Sequence, residues 1–196
     1  GQVKTALKFA TPLTDIYGLC LYQSKRSGQT YVFANDKDGT VLQYQISSNG
    51  QNWSAKEVRR LKVPSQPEGC VADDQNDLLF LGEEDVGIWR FAADGRAEAK
   101  QLTKDGKTFR WGLYPSPDGR YLAHDDKDGN LWLLNLQSGD NQLIFEDGSG
   151  LSPYPNIVWS ADSTQLAFTF EHKDRERPQL MLYQLQSKQS QLLTTE

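Results

Sequence analysis

The chain has 196 residues, of which 37% are hydrophobic and 24% are charged, and its formal net charge is −5 at pH 7. This length predicts one domain, residues 1–196, or two closely joined halves. The acidic balance provides no basic stripe, which argues against nucleic acid and anionic membrane as partners. The longest apolar stretches, such as Leu131–Leu134, are too short to cross a bilayer, so we expect a soluble protein.

Short segments of alternating apolar and polar residues, separated by Gly, Pro, Asn and Asp, run along the whole chain. This period of two predicts β-strands, and no stretch combines helical spacing with a cap. In chain order the predicted strands are Ile16–Tyr22, Gln29–Ala34, Thr40–Ile46, Lys56–Val63, Gly69–Ala72, Leu78–Gly82, Val86–Phe91, Glu98–Thr103, Arg110–Tyr114, Tyr121–Asp125, Leu131–Leu136, Gln142–Glu146, Asn156–Trp159, Gln165–Phe170, Gln179–Leu185 and Ser190–Thr194.

The polar turns between these strands recur at a nearly constant interval. Asp-Lys-Asp-Gly stands at Asp36–Gly39 and again at Asp126–Gly129, with related turns at Glu84–Gly87 and Lys173–Pro178. The turns therefore start 48, 42 and 47 residues apart. A period in the forties filled with short strands is typical of propeller blades. The sequence predicts an all-β fold, a β-propeller of about four four-stranded antiparallel blades.

One predicted strand, Gln2–Phe9, is left over after the four blades are assigned. Four blades is also the small end of the propeller range. We therefore expect self-association, with two copies forming an eight-blade ring in which Gln2–Phe9 completes the partner's last blade. A closed four-blade monomer is the alternative.

Several side chains recur at matching positions of the blades, and we interpret them as structural. Aromatic residues in the third strands are expected to pack between neighbouring blades. Cys20 and Cys70 occupy equivalent places in two first strands, which predicts two small buried hydrophobes rather than a disulfide. Two histidines one blade apart predict strand-end or surface side chains rather than a zinc pair. The aromatic residues are Tyr44, Trp89, Trp132 and Tyr183, and the histidines are His124 and His172.

The first half of the chain resembles the β-propeller phytases, a calcium-dependent family that hydrolyses inositol phosphates. The matching stretches cover roughly residues 10 to 95 and are Ile16–Tyr22, Asn35–Gly39, Pro67–Asp74 and Gly82–Trp89. The resemblance implies that Glu68 and Glu84 hold calcium near the propeller axis. It also implies that Tyr17 and Lys37 contact the phosphate of the substrate. We assign residues 1–96 to this phytase-like half.

From about Lys100 the repeats instead resemble the propellers of TolB and the tricorn protease. The similar stretches are Tyr114–Ala123, Trp159–Phe168 and Asn130–Leu136. In those proteins such blades scaffold a peptidase or bind proteins and peptides. We assign residues 97–196 to this TolB- and tricorn-like half.

This combination predicts a structural, engineered or recombined chimera without catalytic activity of its own, and therefore not an enzyme. The reason is that a phytase site collects ligands from nearly all of the family's six blades, and only two are matched here. The alternatives are a calcium-dependent, phytase-like phosphatase remnant and a propeller that binds peptides or proteins. No cofactor is required by the first interpretation, whereas calcium is a candidate ligand. The localisation is open, although both parent families are typically secreted or periplasmic.

Overall fold

The computed structural model describes residues 4–103, 109–146, 155–171 and 177–194. In these ranges no residue is helical, and there is accordingly no helix long and apolar enough to span a membrane. The strands are β1 (Ile16–Gln23), β2 (Thr30–Asp36), β3 (Thr40–Ser48), β4 (Trp53–Lys62), β5 (Pro67–Asp73), β6 (Leu78–Glu83), β7 (Gly87–Ala92), β8 (Lys100–Gln101), β9 (Leu113–Pro115), β10 (Tyr121–Asp125), β11 (Leu131–Asn135), β12 (Asn141–Phe145), β13 (Ile157–Trp159), β14 (Gln165–Phe170), β15 (Gln179–Gln184) and β16 (Gln189–Leu192).

These strands form four antiparallel sheets, each with four consecutive strands in chain order. We call them blade 1 (β1–β4), blade 2 (β5–β8), blade 3 (β9–β12) and blade 4 (β13–β16). The prediction of four four-stranded propeller blades is confirmed. The fourth predicted turn, Lys173–Pro178, lies mostly outside the described residues.

Three hydrophobic clusters join the blades in sequence. The first lies between blades 1 and 2, the second between blades 2 and 3, and the third between blades 3 and 4. The first strands of neighbouring blades lie closest, with β1 beside β5 and β5 beside β9. Because successive residues of a strand point to opposite faces of its sheet, an inner blade contributes to two clusters at once. The core therefore consists of three apolar layers, each between two neighbouring blades.

The N-terminal segment does not form the predicted strand. Residues 4–9 are outside any strand, and the segment lies against blade 1. The ring of Phe9 is 4.9 Å from that of Tyr44, and the Tyr44 hydroxyl donates to Thr11 Oγ1 at 2.9 Å. The prediction for this part of Gln2–Phe9 was wrong, because Phe9 packs on Tyr44 of β3 and the segment pairs with no sheet edge.

Cys20 and Cys70 form a disulfide, so the interpretation of two separate buried hydrophobes was wrong. The reason is a difference of one position in the strand. Gly18 pairs with Asn35, as Gly69 pairs with Gly82. Counted from these glycines, Cys20 is the second residue and Cys70 is the first. The two side chains therefore point to opposite faces of their own sheets and meet between blades 1 and 2, where their Cα atoms are 6.0 Å apart.

We predict that removing this disulfide lowers the free energy of unfolding by about 2–4 kcal/mol, because the bond closes a long loop in the unfolded chain. The two cysteines are 50 residues apart. Urea denaturation of C20A/C70A should show the loss. The control is the unsubstituted chain under reducing conditions, in which the disulfide is broken but both cysteine side chains remain. Its free energy of unfolding should fall by a similar amount. Equal stability of the oxidised and reduced chains would contradict this role.

Candidate functional site

The first three blades present equivalent residues where the chain enters each first strand. These positions are equivalent because the same backbone hydrogen bond is present in each of the three blades. In each, an amide beyond the second strand donates to a carbonyl that precedes the first strand. The three bonds run from Lys37 to Asp15 (3.4 Å), from Glu84 to Gln66 (2.9 Å) and from Lys127 to Phe109 (3.1 Å). Two residues after each carbonyl stand Tyr17, Glu68 and Trp111, and each of these precedes a glycine.

Tyr17 and Glu68 occupy irregular positions in their strands. The pairing of β1 with β2 shifts register at Tyr17, and that of β5 with β6 shifts at Glu68. The shift leaves each residue without a partner in the ladder, as in a β-bulge. Bulges redirect a side chain away from the regular alternation and are common beside functional sites. Two blades thus direct a polar side chain out of the sheet at the same place.

The glycines that follow are required by close packing. A Cβ atom on Gly18 would lie 2.6 Å from the Asn35 side chain, and one on Gly69 would lie 2.5 Å from the carbonyl oxygen of Trp111. Both separations are shorter than contacts that real Cβ atoms make. In blade 2, the lack of a side chain at Gly69 lets the backbone of blade 3 lie directly against the bulge. Trp111 and Glu68 are consequently held side by side.

In blade 1, a buried carboxylate fixes the chain before the first strand. Asp36, the last residue of β2, accepts the amide hydrogens of Thr14 at 2.6 Å and Asp15 at 3.2 Å. The bond from the Thr14 amide is the main cause of the lowered pKa of Asp36. A charge-assisted bond of this kind is stronger than a neutral one. It holds the segment that leads to Tyr17.

In blade 2, Glu83 has the equivalent role. Its carboxylate is fully buried and accepts both the amide hydrogen and the hydroxyl of Ser65, as well as the indole N–H of Trp89. Glu83 is therefore a structural residue, although it stands next to Glu84 in the sequence. Of these two adjacent carboxylates, Glu83 is bonded within the fold and Glu84 is the one that lines the pocket.

The equivalent residues of the three blades surround an open pocket of about 580 Å³. Within it, the Tyr17 hydroxyl donates to a Glu68 oxygen at 3.4 Å. The amide of Gln66 donates to the other Glu68 oxygen at 3.0 Å. The pocket is lined by Tyr17, Gln66, Glu68, Glu84, Phe109 and Trp111.

Negative charge accumulates in this pocket. Desolvation and the nearby Glu68 carboxylate raise the pKa of Glu84. The same carboxylate is the main cause of the raised pKa of Tyr17. Both shifts mean that further negative charge is unfavourable here, so a bound cation would relieve the repulsion between Glu68 and Glu84.

Lys37 supplies positive charge at the edge of this pocket. Its ammonium lies 3.0 Å from an Asp15 oxygen and 5.3 Å from the ring centroid of Tyr17. The hydrogen bond to Asp15 is the main cause of its raised pKa, so the ammonium is charged at neutral pH. The structure thus brings the four predicted site residues, Tyr17, Lys37, Glu68 and Glu84, to one place.

Sequence reasoning missed three lining residues, namely Gln66, Phe109 and Trp111. Phe109 and Trp111 lie in the half that resembles another family, so the phytase resemblance gave no reason to include them. A usable signal was nevertheless present. Trp111-Gly112 repeats the pattern of Tyr17-Gly18 and Glu68-Gly69 at the start of a blade.

Of the two histidines, the structure describes His124, which is a core residue. His124 is completely buried, accepts or donates a hydrogen bond with Asn141 at 2.9 Å and stacks on Trp132. Burial, with a smaller effect of Arg110, lowers its pKa to about 3. His124 stands near the end of β10, as one of the two expected alternatives had it, but it is part of the core and not of the surface. His172 lies outside the described residues. Among the residues that the structure describes, no group of three or more His, Cys, Asp or Glu is arranged to hold a metal ion.

The fold is a β-propeller, and its acidic pocket lies where the first strands begin. The family model described as Phytase matches residues 3–172, and the chain therefore belongs to the phytase family. A 3-phytase of Bacillus subtilis (strain 168) is 32% identical over 147 residues. That match covers 69% of this chain and 38% of the relative, so the chain spans well under half of the relative's length.

Two solved structures share the fold. The tricorn protease covers 93% of this chain with a TM-score of 0.62 and 12% identity, over 17% of its own chain. Hydrazine synthase of Kuenenia stuttgartiensis covers 98% with a TM-score of 0.61 and 13% identity, over 53% of its chain. At these identities the likeness concerns the propeller architecture alone.

The family match overturns two predictions. The chain was expected to be a structural protein without catalytic activity, and not an enzyme. The phytase match over residues 3–172 and the identity to a curated 3-phytase contradict both. The matched region also crosses the predicted junction between residues 96 and 97. The division into 1–96 and 97–196 stays a prediction.

We predict that Gly69→Ala lowers the free energy of unfolding by about 1–3 kcal/mol, because the added methyl group collides with backbone that cannot rotate away. The collision partner is the Trp111 carbonyl at 2.5 Å. Urea denaturation monitored by tryptophan fluorescence measures the change. A loss below about 0.5 kcal/mol, the range of an ordinary surface substitution, would contradict the close approach of blades 2 and 3.

Proposed function

We propose that this protein is a calcium-dependent, phytase-like phosphatase that acts on phosphate monoesters of inositol. The observation that supports the proposal is that Tyr17, Glu68 and Glu84 line one pocket, with Lys37 beside the Tyr17 ring, in a chain of the phytase family. The relative named 3-phytase supports the substrate class.

The donors in the pocket suit calcium. Ca²⁺ prefers six to eight oxygen ligands, from carboxylates, carbonyls, hydroxyls and water. Glu68 and Glu84 offer carboxylates, Gln66 offers an amide oxygen, and water would complete the shell. None of the described residues that line the pocket carries a thiol or an imidazole, the ligands that zinc and copper prefer. Desolvation and, after it, repulsion from Glu68 raise the pKa of Glu84, and a bound cation would favour the ionised carboxylate against both.

The side chains have separate roles in this proposal. Glu68 and Glu84 would hold the cation, which when bound neutralises phosphate charge and makes a bound water more acidic. Lys37 would bind a phosphate oxygen as a point charge, after exchanging its exposed pair with Asp15. The Tyr17 hydroxyl would exchange its hydrogen bond to Glu68 for one to a phosphate oxygen, since it has a single hydrogen to donate.

The phosphate and the ring of the substrate have different surroundings. Phe109 and Trp111 contribute aromatic rings to the pocket lining, and the Lys37 ammonium lies beside the Tyr17 ring. An inositol ring has C–H groups that pack on an aromatic face, whereas its phosphates need cations. The pocket therefore offers both kinds of contact.

The disulfide supports a location outside the cytoplasm. Cytosolic proteins seldom keep structural disulfides, because glutathione and thioredoxin reduce them. The Cys20–Cys70 bond joins the two blades that supply Tyr17 and Glu68. We therefore propose a secreted or periplasmic protein, in which the bond persists and keeps the two blades together.

We predict that the chain releases phosphate from phytate when Ca²⁺ is present, and that Glu84→Gln lowers this rate at least about tenfold, because the carboxylate that attracts the cation is lost. The matched control is Glu57→Gln on β4, where the exposed carboxylate pairs with Arg60 away from the pocket. The control should keep the full rate.

Calcium binding has its own readout in the same variants. Ca²⁺ should raise the melting temperature of the unsubstituted chain and of Glu57→Gln, since a ligand that binds only the folded state stabilises it. Glu84→Gln should show a smaller rise. Phosphate release that is absent, or equal in Glu84→Gln and the unsubstituted chain, would overturn the proposed function.

A further inference from the structure

Blades 1 and 2 have outer strands of very different length. β4 contains 10 residues, whereas β8 contains 2, Lys100 and Gln101. β4 covers the outer part of the interface between blades 1 and 2, because Leu61 packs on the hydrophobic cluster there. Arg59 of β4 also reaches across and donates to the Ala92 carbonyl at 2.8 Å. With its two residues, β8 does not cover the interface between blades 2 and 3 in the same way.

The space beside β8 is a pocket of about 650 Å³ between blades 2 and 3. This volume is within the range of small-molecule sites. The pocket lies between two inner blades, each with a neighbour on both sides, so it is not an end face of the chain. The described residues that line it are all different from those that line the acidic pocket.

Equivalent tryptophans mark the outer part of both interfaces. Trp89 of blade 2 donates its indole N–H to Glu83, and Trp132 of blade 3 donates its own to Asp126 at 2.8 Å. Trp89 packs on the same cluster as Leu61 of β4. Trp132, in contrast, lines the pocket. The short β8 therefore leaves an aromatic ring at the wall of a cavity.

Two buried side chains hold this ring in place. The guanidinium carbon of Arg110 lies 5.2 Å from the centroid of the Trp132 ring. The His124 ring is parallel to Trp132, with an angle of 3° between the planes. Arg110 and His124 are both fully buried. The Trp132 ring is thus a rigid surface that a ligand can contact without ordering it first.

The same buried pair fixes the orientation of the Asn141 amide at the pocket. Arg110 Nη1 lies 3.4 Å from His124 Nδ1, and a guanidinium can only donate. Burial lowers the pKa of His124 to about 3, so its ring is neutral and Nδ1 is the acceptor. The ring hydrogen is therefore on Nε2, which donates to Asn141 Oδ1 at 2.9 Å. Because its oxygen is occupied, Asn141 offers a ligand the hydrogens of Nδ2.

Blade 2 contributes an acceptor and a cation to the pocket. Gln101 Nε2 donates to the carbonyl oxygens of Thr103 at 2.7 Å and Val86 at 3.4 Å, so Gln101 offers a ligand its Oε1. The exposed Lys100 carries the only charge among the described lining residues. This pocket therefore favours an anion, whereas the pocket of Glu68 and Glu84 favours a cation.

We propose that this pocket binds an acidic sugar, that is, a hydroxylated six-membered ring that carries one anionic group. The C–H face of the ring would pack on Trp132. Its hydroxyls would accept from Asn141 Nδ2 and donate to Gln101 Oε1, and the anionic group would lie at the Lys100 ammonium. The site uses none of the residues assigned to phosphate release, so it is a second binding site and does not rest on the phosphatase proposal.

Three compounds separate the parts of this ligand. Glucuronate has the ring and the anion, glucose has the ring alone, and acetate has the anion alone. Indole N–H signals of a 15N-labelled sample report binding, with a chelator present so that the proposed cation site stays empty. Glucuronate at millimolar concentration should shift the Trp132 signal, glucose should bind more weakly, and acetate should leave the signal in place. Trp53, which is exposed on β4, should not respond to any of them.

Lys100→Gln tests where the anionic group lies. It should weaken the binding of glucuronate about three- to fivefold, the effect of one exposed charge pair, and leave the binding of glucose unchanged. The matched control is Lys56→Gln, which removes an exposed lysine from the outer strand of blade 1. The control should bind glucuronate as tightly as the unsubstituted chain does.

Other results would overturn the proposal. A Trp132 signal that does not move with glucuronate, or that moves no more than the Trp53 signal, would show that the pocket binds no acidic sugar. An equal shift with acetate would show a site for anions alone, and equal affinities for glucose and glucuronate would remove the anionic group from the ligand. Unchanged binding of glucuronate to Lys100→Gln would exclude the assigned position of that group.

Discussion

The site depends on how firmly each blade holds the segment that precedes its first strand. Asp36 in blade 1 and Glu83 in blade 2 end their second strands and accept amide hydrogens from that segment. A buried carboxylate without such donors would be costly, so the loop and the strand stabilise each other. Because the held segment leads directly into a bulge, the anchoring also fixes where Tyr17 and Glu68 point.

The same geometry explains why neighbouring acidic residues differ in role. Glu83 is buried and fully bonded, whereas Glu84 is the next residue and faces the pocket. β6 ends at Glu83, and Glu84 stands in the turn that follows it, so the Glu84 side chain is not packed within the sheet. The Glu83 carboxylate therefore stabilises the fold, and the Glu84 carboxylate is available to a cation.

The fold was predictable because it rests on local patterns. Turn spacing and a period of two were sufficient to place four blades. Each predicted strand from Ile16 onward corresponds to an observed one, whose ends coincide with the predicted ends or differ from them by a few residues. The Cys20–Cys70 bond was not predictable in this way, since it depends on a register difference of one residue. The end of β8 at Gln101 and the position of Phe9 on Tyr44 also depend on packing rather than on propensity.

The site was predictable only in part. Resemblance to the phytases selected Tyr17, Lys37, Glu68 and Glu84, and the structure places them together. It gave no reason to expect Trp111, which reaches the pocket because blade 3 packs against Gly69. The function was misjudged for a related reason. Residues 97–196 were interpreted through their turn sequences, which report blade geometry, whereas the family match extends to residue 172.

The central claim is that Glu68 and Glu84 form a cation-binding pocket against Trp111. Tryptophan indole N–H signals in a 15N-labelled sample test it most directly, because each of the five tryptophans gives one signal. On addition of Ca²⁺ and inorganic phosphate, the Trp111 signal should shift. The signal of Trp53, which is exposed on β4, should stay in place. A titration in which Trp111 does not move, or in which both signals move equally, would contradict the account.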